Sequence, residues 1–501
     1  MNSRIKQRRA LATCELVALI GFGPLAAQEQ LTQPLTFEDA LRIAESTNEE
    51  IAIAEAAVRR ASGEQQRARS AYLPQIDLTA SYVRTLASQF DIGFNGGDSA
   101  VAGLPFGREH AWSVGLSIAE TVLSAGRAAQ SRIAEAGRVT EEIALQSARA
   151  QLALDVTAAY FDAVLTDRLV ANAQSALGQA ESTLELVRVG HEVGNQAEFE
   201  VLRARVSVGN QRPVMIQRAA DRVVAYARLK QLLDLPIDEP LVLAEELAEG
   251  DPSRVAQIAA AMLGLEVDTV VTLTRAPVRQ AIEAAQIQED RVRVAKSERV
   301  PTVTVNMDYG RFAYPQSGVP FTAEFLTDWT IGATLSVPLY TGGRITGDVR
   351  VARAGRDAAI ANLALARELA ALDTRDALER LKAAQASYGA TAGTVEEAEK
   401  TYEIAQVRFE EGISTQLELN DSRLALEISR GNRARAERDL HVARVRVALL
   451  PFLPVPSTPG GAPTEGTGLP AEEPESEAGM PEPAATSGFG TTAATRAGAL
   501  R

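Results

Sequence analysis

Cysteine, histidine and aromatic residues are scarce in this chain of 501 residues, and their scarcity excludes several kinds of chemistry. The single Cys14 lies within a predicted export signal, so the mature chain is expected to hold no disulfide and no reactive thiol. The three histidines are far apart, and His191 lacks the second histidine four residues later that a zinc-protease motif requires. Phosphate-binding glycine loops and nucleophile elbows are also missing. The sequence therefore predicts a protein that is not an enzyme and that needs no metal or other cofactor.

Charge and hydropathy argue against two further classes of protein, those that bind nucleic acid and those with a transmembrane helix. The net charge is −14, from 51 basic and 65 acidic residues, and no basic run is long enough to form a nucleic-acid surface. An acidic chain is repelled by phosphates, so no nucleic-acid partner is expected. A solvated surface explains this charge as well as a cation-binding role does. Beyond the export signal, no stretch of 18 uninterrupted apolar residues suggests a transmembrane helix.

The N-terminal 27 residues have the parts of a secretory signal peptide. Four basic residues, Arg4, Lys6, Arg8 and Arg9, precede an apolar stretch that ends near Leu25, and Ala27 precedes the expected cleavage point. Lipidation at Cys14 is a disfavoured alternative, because the apolar residues follow the cysteine instead of preceding it.

Two stretches of the chain have the same plan. Trp112–Arg127 and Trp329–Arg344 each begin as an alternating strand, turn at a glycine and enter a long alanine-rich helical segment. The two stretches lie 217 positions apart, and Gly194 and Gly412, further on, are 218 apart. The chain is therefore an internal duplication.

The duplication divides the chain into five predicted segments, each named by its residues. They are a signal peptide (1–27), a first repeat (28–235) with strands at about 75–85 and 112–120 and a hairpin at 128–233, a segment between the repeats (236–274), a second repeat (275–450) with strands at about 302–312 and 329–338 and a hairpin at 344–450, and a disordered tail (451–501).

Long helices account for most of each repeat. A helix of about 60 residues spans roughly 90–100 Å, and its apolar seam follows a heptad. The seam residues are Leu152, Val156, Ala159, Ala163, Thr166, Val170, Ala173, Leu177, Ala180, Leu184 and Val187. A long coiled-coil rod explains this pattern equally well. Single helices are predicted from Thr36 to Ala71 and from Arg344 to Phe409.

Each predicted strand has about ten residues, apolar on one face and polar on the other, as a tilted membrane strand requires. Four strands cannot close a barrel alone, and open sheet edges are not tolerated within a bilayer. The simplest solution is a barrel shared between several chains. A small soluble sheet packed on a helix is the alternative, and alternation does not distinguish the two.

The chain resembles the TolC-like outer-membrane efflux channels over about residues 35–450. The resemblance rests on the duplicated plan, the Pro338–Arg344 turn, the joints at Tyr72–Pro74 and Val300-Pro301, and the two hairpin ends. It implies an α+β membrane protein, in which three protomers share a 12-stranded β-barrel that continues as a periplasmic α-helical barrel. The 236–274 segment would be equatorial.

The resemblance also implies a function and partners. The chain would be a passive exit channel of a tripartite efflux pump or a type I secretion system in the Gram-negative outer membrane. It would act as a homotrimer in outer-membrane lipid, with a periplasmic adaptor and an inner-membrane pump. The alternative is a soluble periplasmic coiled-coil adaptor or structural protein, although an adaptor would have one hairpin flanked by lipoyl-like β segments.

The hairpin ends carry the site residues that the resemblance implies. The expected adaptor-binding residues are Val193, Gly194, Asn195, Glu411, Gly412 and Ile413, although each glycine also serves a tight turn. The family narrows its periplasmic mouth with acidic side chains, which here correspond to Glu418 and Asp421, with Glu200 in the same network. Two solvated carboxylates are the alternative. Phe409 and Ser414 replace a tyrosine and an arginine of the family's closing network.

Overall fold

The computed structural model describes residues 34–87, 109–244, 252–262, 275–315, 319 and 324–455. The predicted signal peptide and residues 456–501 of the predicted tail lie outside the described residues, as does most of the glycine-rich segment between the first two strands.

The elements repeat the duplicated plan. The first repeat contains α1 (Phe37–Thr47), α2 (Glu49–Ser70), β1 (Gln75–Arg84), β2 (His110–Leu123), α3 (Arg127–Glu192) and α4 (Glu198–Leu232). Helix α5 (Pro252–Met262) follows. The second repeat contains α6 (Ala276–Ser297), β3 (Thr302–Ala313), β4 (Leu326–Ser336), α7 (Arg344–Thr391), α8 (Thr394–Glu410) and α9 (Gln416–Leu449).

The four strands form one antiparallel sheet in the order β1-β2-β3-β4. The register places apolar residues opposite one another across all four strands; Met307, for example, pairs with Ile118 on one side and Ile331 on the other. This apolar face is exposed, with Leu78 at 73% and Ile331 at 71%. The described helices leave it uncovered, so the alternative of a small sheet packed on a helix is wrong for the described residues.

Helix α3 forms the centre of the helical part. It packs against α2, α4, α6 and α9, and the predicted heptad seam is its buried side, with Val156 and Ala163 fully inaccessible to solvent. Alanines along the seam allow close approach of the neighbouring helices. None of the described helices is both long and apolar enough to cross a membrane.

The prediction of one helix from Thr36 to Ala71 is wrong, because the chain breaks at Asn48. Asn48 is extended (φ −68°, ψ 129°), and its side chain accepts a hydrogen bond from Glu50 N. It therefore caps a new helix, as asparagine commonly does. Thr36, where the helix was predicted to start, caps α1, since its Oγ1 accepts from Asp39 N at 3.1 Å.

The prediction of one helix across 344–409 is also wrong, because α7 and α8 are separate. In a continuous helix Ala392 N would donate to Tyr388 O. That carbonyl oxygen instead accepts from Arg433 Nη1 of α9 at 2.7 Å, and Ala392 N donates to Gly389 O at 3.3 Å. The Thr391 hydroxyl donates to the same oxygen at 3.0 Å, so a tertiary and a local contact together occupy the carbonyl that would continue the ladder.

Two predicted boundaries also shift. The strand predicted at 329–338 begins at Leu326 and ends at Ser336. The tail predicted from 451 begins too early, because Leu453 is buried and its carbonyl oxygen accepts from Arg275 Nη2 at 3.1 Å. In the segment between the repeats, α5 packs on α9.

Candidate functional site

The two hairpins end in the same backbone turn. Gly194 has φ +80° and Gly412 has φ +73°, a left-handed conformation that glycine adopts without strain. Asn195 N donates to Gly190 O at 2.8 Å in the first turn, and Ile413 N donates to Arg408 O at 2.8 Å in the second. These bonds are those of a glycine-terminated helix cap, so the duplication extends to individual hydrogen bonds.

All six predicted adaptor-binding residues lie at these turns and are exposed. Val193 is 65% exposed and Ile413 69% exposed, so each turn presents one bare aliphatic side chain. Exposed aliphatic residues on a tight turn suit a docking surface, and the structure is equally compatible with a plain turn. Adaptor binding at the turns stays a prediction.

The predicted gate residues of the second hairpin lie at the start of α9. Glu418 N donates to the Thr415 side-chain oxygen at 3.4 Å, and the Glu418 carboxylate lies 3.9 Å from Arg408 Nη2 across the turn. Asp421 lies three residues after Glu418 and is also exposed. The two carboxylates therefore share one helix and face solvent in the single protomer.

Glu200, the third predicted gate residue, contacts a glutamine that the sequence did not identify. Gln416 of α9 is 1% exposed, and its hydrogen-bond network orients its amide. Gln416 Nε2 donates to Glu200 O at 3.1 Å and to Glu200 Oε2 at 2.8 Å, and Gln416 Oε1 accepts from Ala204 N at 3.2 Å. The amide thus binds the backbone and side chain of one turn of α4.

A single sequence gives no signal for this role, since a glutamine at a helix start is ordinarily solvated. Arg423, two residues after Asp421 in α9, forms a second polar contact with the first hairpin. It is buried, and it donates to Ala176 O of α3 at 2.9 Å and to Ser207 Oγ of α4 at 3.1 Å. Burial lowers the pKa of the Arg423 guanidinium below its usual value, and the charge of Glu427 partly offsets this effect.

An apolar cluster completes the contact between the hairpin ends. Phe409, which replaces the tyrosine of the family's closing network, is buried among residues of α3, α8 and α9. The other buried members are Val187, Tyr402, Ala405, Leu419 and Leu426. The start of α9 is therefore fixed to the first hairpin by two polar ties and one apolar cluster.

The duplicated sheet-and-hairpin plan defines a class of membrane proteins. The family model described as "Outer membrane efflux protein" matches residues 40–234 and 273–450, well over half of the chain. The chain therefore belongs to the outer membrane efflux protein family, which is a family of channel proteins of the Gram-negative outer membrane. The resemblance seen in the sequence is confirmed.

Individual proteins agree with this assignment. The chain is 24% identical over 289 residues to nodulation protein T of Rhizobium leguminosarum bv. trifolii, with 57% of this chain and 59% of the relative covered. Outer membrane protein TolC of Vibrio cholerae is 26% identical over 398 residues, with 76% and 83% covered. The chain thus spans about three fifths of the length of the first of these relatives.

Among solved structures, the Campylobacter jejuni CmeC outer membrane channel has the same fold. Its TM-score is 0.66 at 17% identity, and the match covers 84% of this chain and 87% of that chain. At this identity the likeness shows the fold alone.

Proposed function

We propose that three copies of this chain form a passive exit channel of a tripartite efflux pump or a type I secretion system. The observation that carries the proposal is the sheet, which has one apolar face left uncovered and two open edges, β1 and β4. In a bilayer such edges must be paired. Edge pairing between three copies would give twelve strands with the apolar face toward lipid.

The first hairpin supports side-by-side packing of copies. Helix α4 carries a row of exposed apolar side chains spaced as the seam of a coiled coil. The row consists of Phe199, Leu202, Val206, Ile216 and Val223, exposed by 49–68%. A second copy of the chain would pack on this face, and the same contact repeated from copy to copy would close a ring.

The hairpin ends supply the gate in this proposal. Three-fold symmetry would bring six carboxylates, from Glu418 and Asp421 of each copy, around one opening, where they would attract cations and repel anions. Gln416 and Arg423 would hold each second hairpin against the first in the closed state. A periplasmic adaptor that binds the exposed turns, driven by an inner-membrane pump, would release them.

Single-channel recording in a planar bilayer tests the gate. The variant with both Glu418→Ala and Asp421→Ala is expected to change conductance and to lose block by divalent cations. The matched control is Glu396→Ala with Glu397→Ala, an exposed acidic pair in the first turn of α8. Unchanged conductance and divalent block in the first variant would remove Glu418 and Asp421 from the gate.

A further inference from the structure

Each repeat carries an aromatic pair on the apolar face of the sheet, near the strand ends that point away from the helices. Tyr82 pairs with Trp112 across β1 and β2, with ring centroids 4.7 Å apart. Tyr309 pairs with Trp329 across β3 and β4, with centroids 6.2 Å apart. Tyrosine and tryptophan collect at the headgroup level of membranes because one end of each side chain is apolar and the other polar.

A guanidinium lies one step beyond each pair. Arg84 follows Tyr82 by two residues and Arg311 follows Tyr309 by two, so each arginine lies on the same face as its tyrosine. Arg84 Nη2 lies 2.7 Å from Glu109 Oε1, and the Arg311 guanidinium lies 5.2 Å from the centre of the Phe325 ring. Within each strand pair, the face therefore runs outward from aliphatic to aromatic to cationic, and the register places Arg311 level with Val114, two positions on the helix side of Trp112.

We infer that Arg84 and Arg311 bind the phosphate groups of anionic lipid headgroups in the outer leaflet. The inference rests on the proposed function, which sets the strands across the membrane. A guanidinium just outside an aromatic belt lies at the depth of headgroup phosphates, and its planar fork binds phosphate through two parallel hydrogen bonds. Among the described residues no carboxylate forms an ion pair with Arg311, so its whole guanidinium is open to such a ligand, whereas Arg84 donates from Nε and Nη2 to Glu109 and offers phosphate its remaining N–H groups.

The duplication strengthens this assignment. The Tyr-x-Arg spacing occurs in both β1 and β3, although the residues between and around them differ. Three copies of the chain would then present six guanidinium groups around the barrel, each above its own aromatic residues. The partner that fits is a membrane surface rich in phosphorylated lipid, because only a lipid brings acyl chains to the aliphatic band and phosphate to the arginines together.

Two measurements on the full chain test the inference. In the first, the detergent-solubilised protein is titrated with a bisphosphorylated glycolipid, with zwitterionic phosphatidylcholine or with inorganic phosphate, and bound lipid is counted by native mass spectrometry. The double variant Arg84→Gln with Arg311→Gln is expected to bind the phosphorylated lipid at least about tenfold more weakly than the unaltered chain. The control, Arg356→Gln with Arg380→Gln, neutralises two helix-surface arginines and is expected to bind as the unaltered chain does.

The second measurement separates this inference from the proposed function. Trp112 and Trp329 are the only tryptophans, so quenching of protein fluorescence by brominated lipids in phosphatidylcholine vesicles reports on the belt directly. Strong quenching with equal lipid binding by the Arg84/Arg311 variant would overturn the inference and leave membrane insertion intact. No quenching in the unaltered chain would contradict the proposed function. Equal affinity for inorganic phosphate and for the lipid would also overturn the inference, since the site would then select a free anion.

Discussion

The two repeats share their backbone turns but differ in how their outgoing helices are held. Helix α3 of the first repeat is unbroken over 66 residues, whereas the second repeat divides the same path into α7 and α8. At equivalent positions, 217 residues apart, the first repeat buries Val156 and the second buries Asp373. At this position the first helix is therefore held by apolar packing, and the second by a charged cluster.

In that charged cluster, both carboxylate oxygens of Asp373 accept a hydrogen bond. Asp373 Oδ2 accepts from Arg275 Nη1 at 2.6 Å, and Asp373 Oδ1 accepts from Arg446 Nη2 at 2.9 Å. The hairpin ends show the same kind of divergence, since Asp421 of the second repeat corresponds to Arg203 of the first. The two hairpins thus share the geometry of their turns and a glutamate, Glu200 in the first and Glu418 in the second, whereas Asp421 adds a carboxylate that the first hairpin lacks at the equivalent position.

The largest effect is expected at Asp373, the buried acid that distinguishes the second repeat from the first. Replacing it with alanine leaves two arginines without their buried partner, and a loss of about 3–5 kcal/mol in unfolding free energy is expected. Urea unfolding followed by circular dichroism at fixed protein concentration measures it. Asp376→Ala removes an exposed partner of Arg380 and is expected to cost less than about 1 kcal/mol. Equal losses would contradict the role of the buried cluster.

The second-largest effect is expected for Gln416→Ala, which weakens the contact between the two hairpins. This change removes three hydrogen bonds at about 0.5–1.5 kcal/mol each, so the open-to-closed ratio in bilayer recordings should rise by at least about tenfold. Gln406→Ala is the control, because Gln406 is an exposed glutamine whose side-chain amide donates to Glu410 of its own helix. An unchanged open probability for Gln416→Ala would show that the buried amide does not hold the gate.

Substituting the two turn glycines tests whether the turns are equivalent in energy as well as in geometry. Gly194→Ala and Gly412→Ala each force a side chain into the left-handed region, and each should cost about 1–2 kcal/mol of stability. The two costs should be equal because the hydrogen bonding is the same. Gly178→Ala, within α3 and with open space around it, should stabilise by about 0.5–1 kcal/mol. Unequal costs at the two turns would mean that one turn is supported differently.

The smallest expected effect concerns acid stability between α3 and α6. Burial would raise the pKa of Asp290, but hydrogen bonds from Arg132 and Arg293 outweigh it and hold the pKa below the ordinary 3.8. A depressed carboxyl pKa gives stability that is present above pH 3.8 and is lost as the pH falls through the folded-state value. Asp290→Asn should therefore flatten the fall in melting temperature below about pH 4. A slope equal to that of the unaltered chain would exclude this contribution.

The sequence was sufficient for the features that depend on local periodicity. Alternation identified the strands, the heptad identified the α3 seam, and the equal spacing of Gly194 and Gly412 identified the turns. The break after Thr391 was missed because the Tyr388 carbonyl oxygen accepts from Arg433, a residue more than 40 positions later in the chain, as well as from the Thr391 hydroxyl. The buried Gln416 was missed for a similar reason, since its partners lie in α4 and nothing local distinguishes it from a solvated glutamine.

The central claim is that the four strands of one chain are part of a barrel made by three. The mass of the protein extracted with detergent from an outer-membrane fraction tests it most directly, by light scattering with the detergent contribution subtracted. The account predicts three chains per particle. A single chain per particle, stable in a fraction free of membrane, would mean that the sheet is complete in one copy and would contradict the channel.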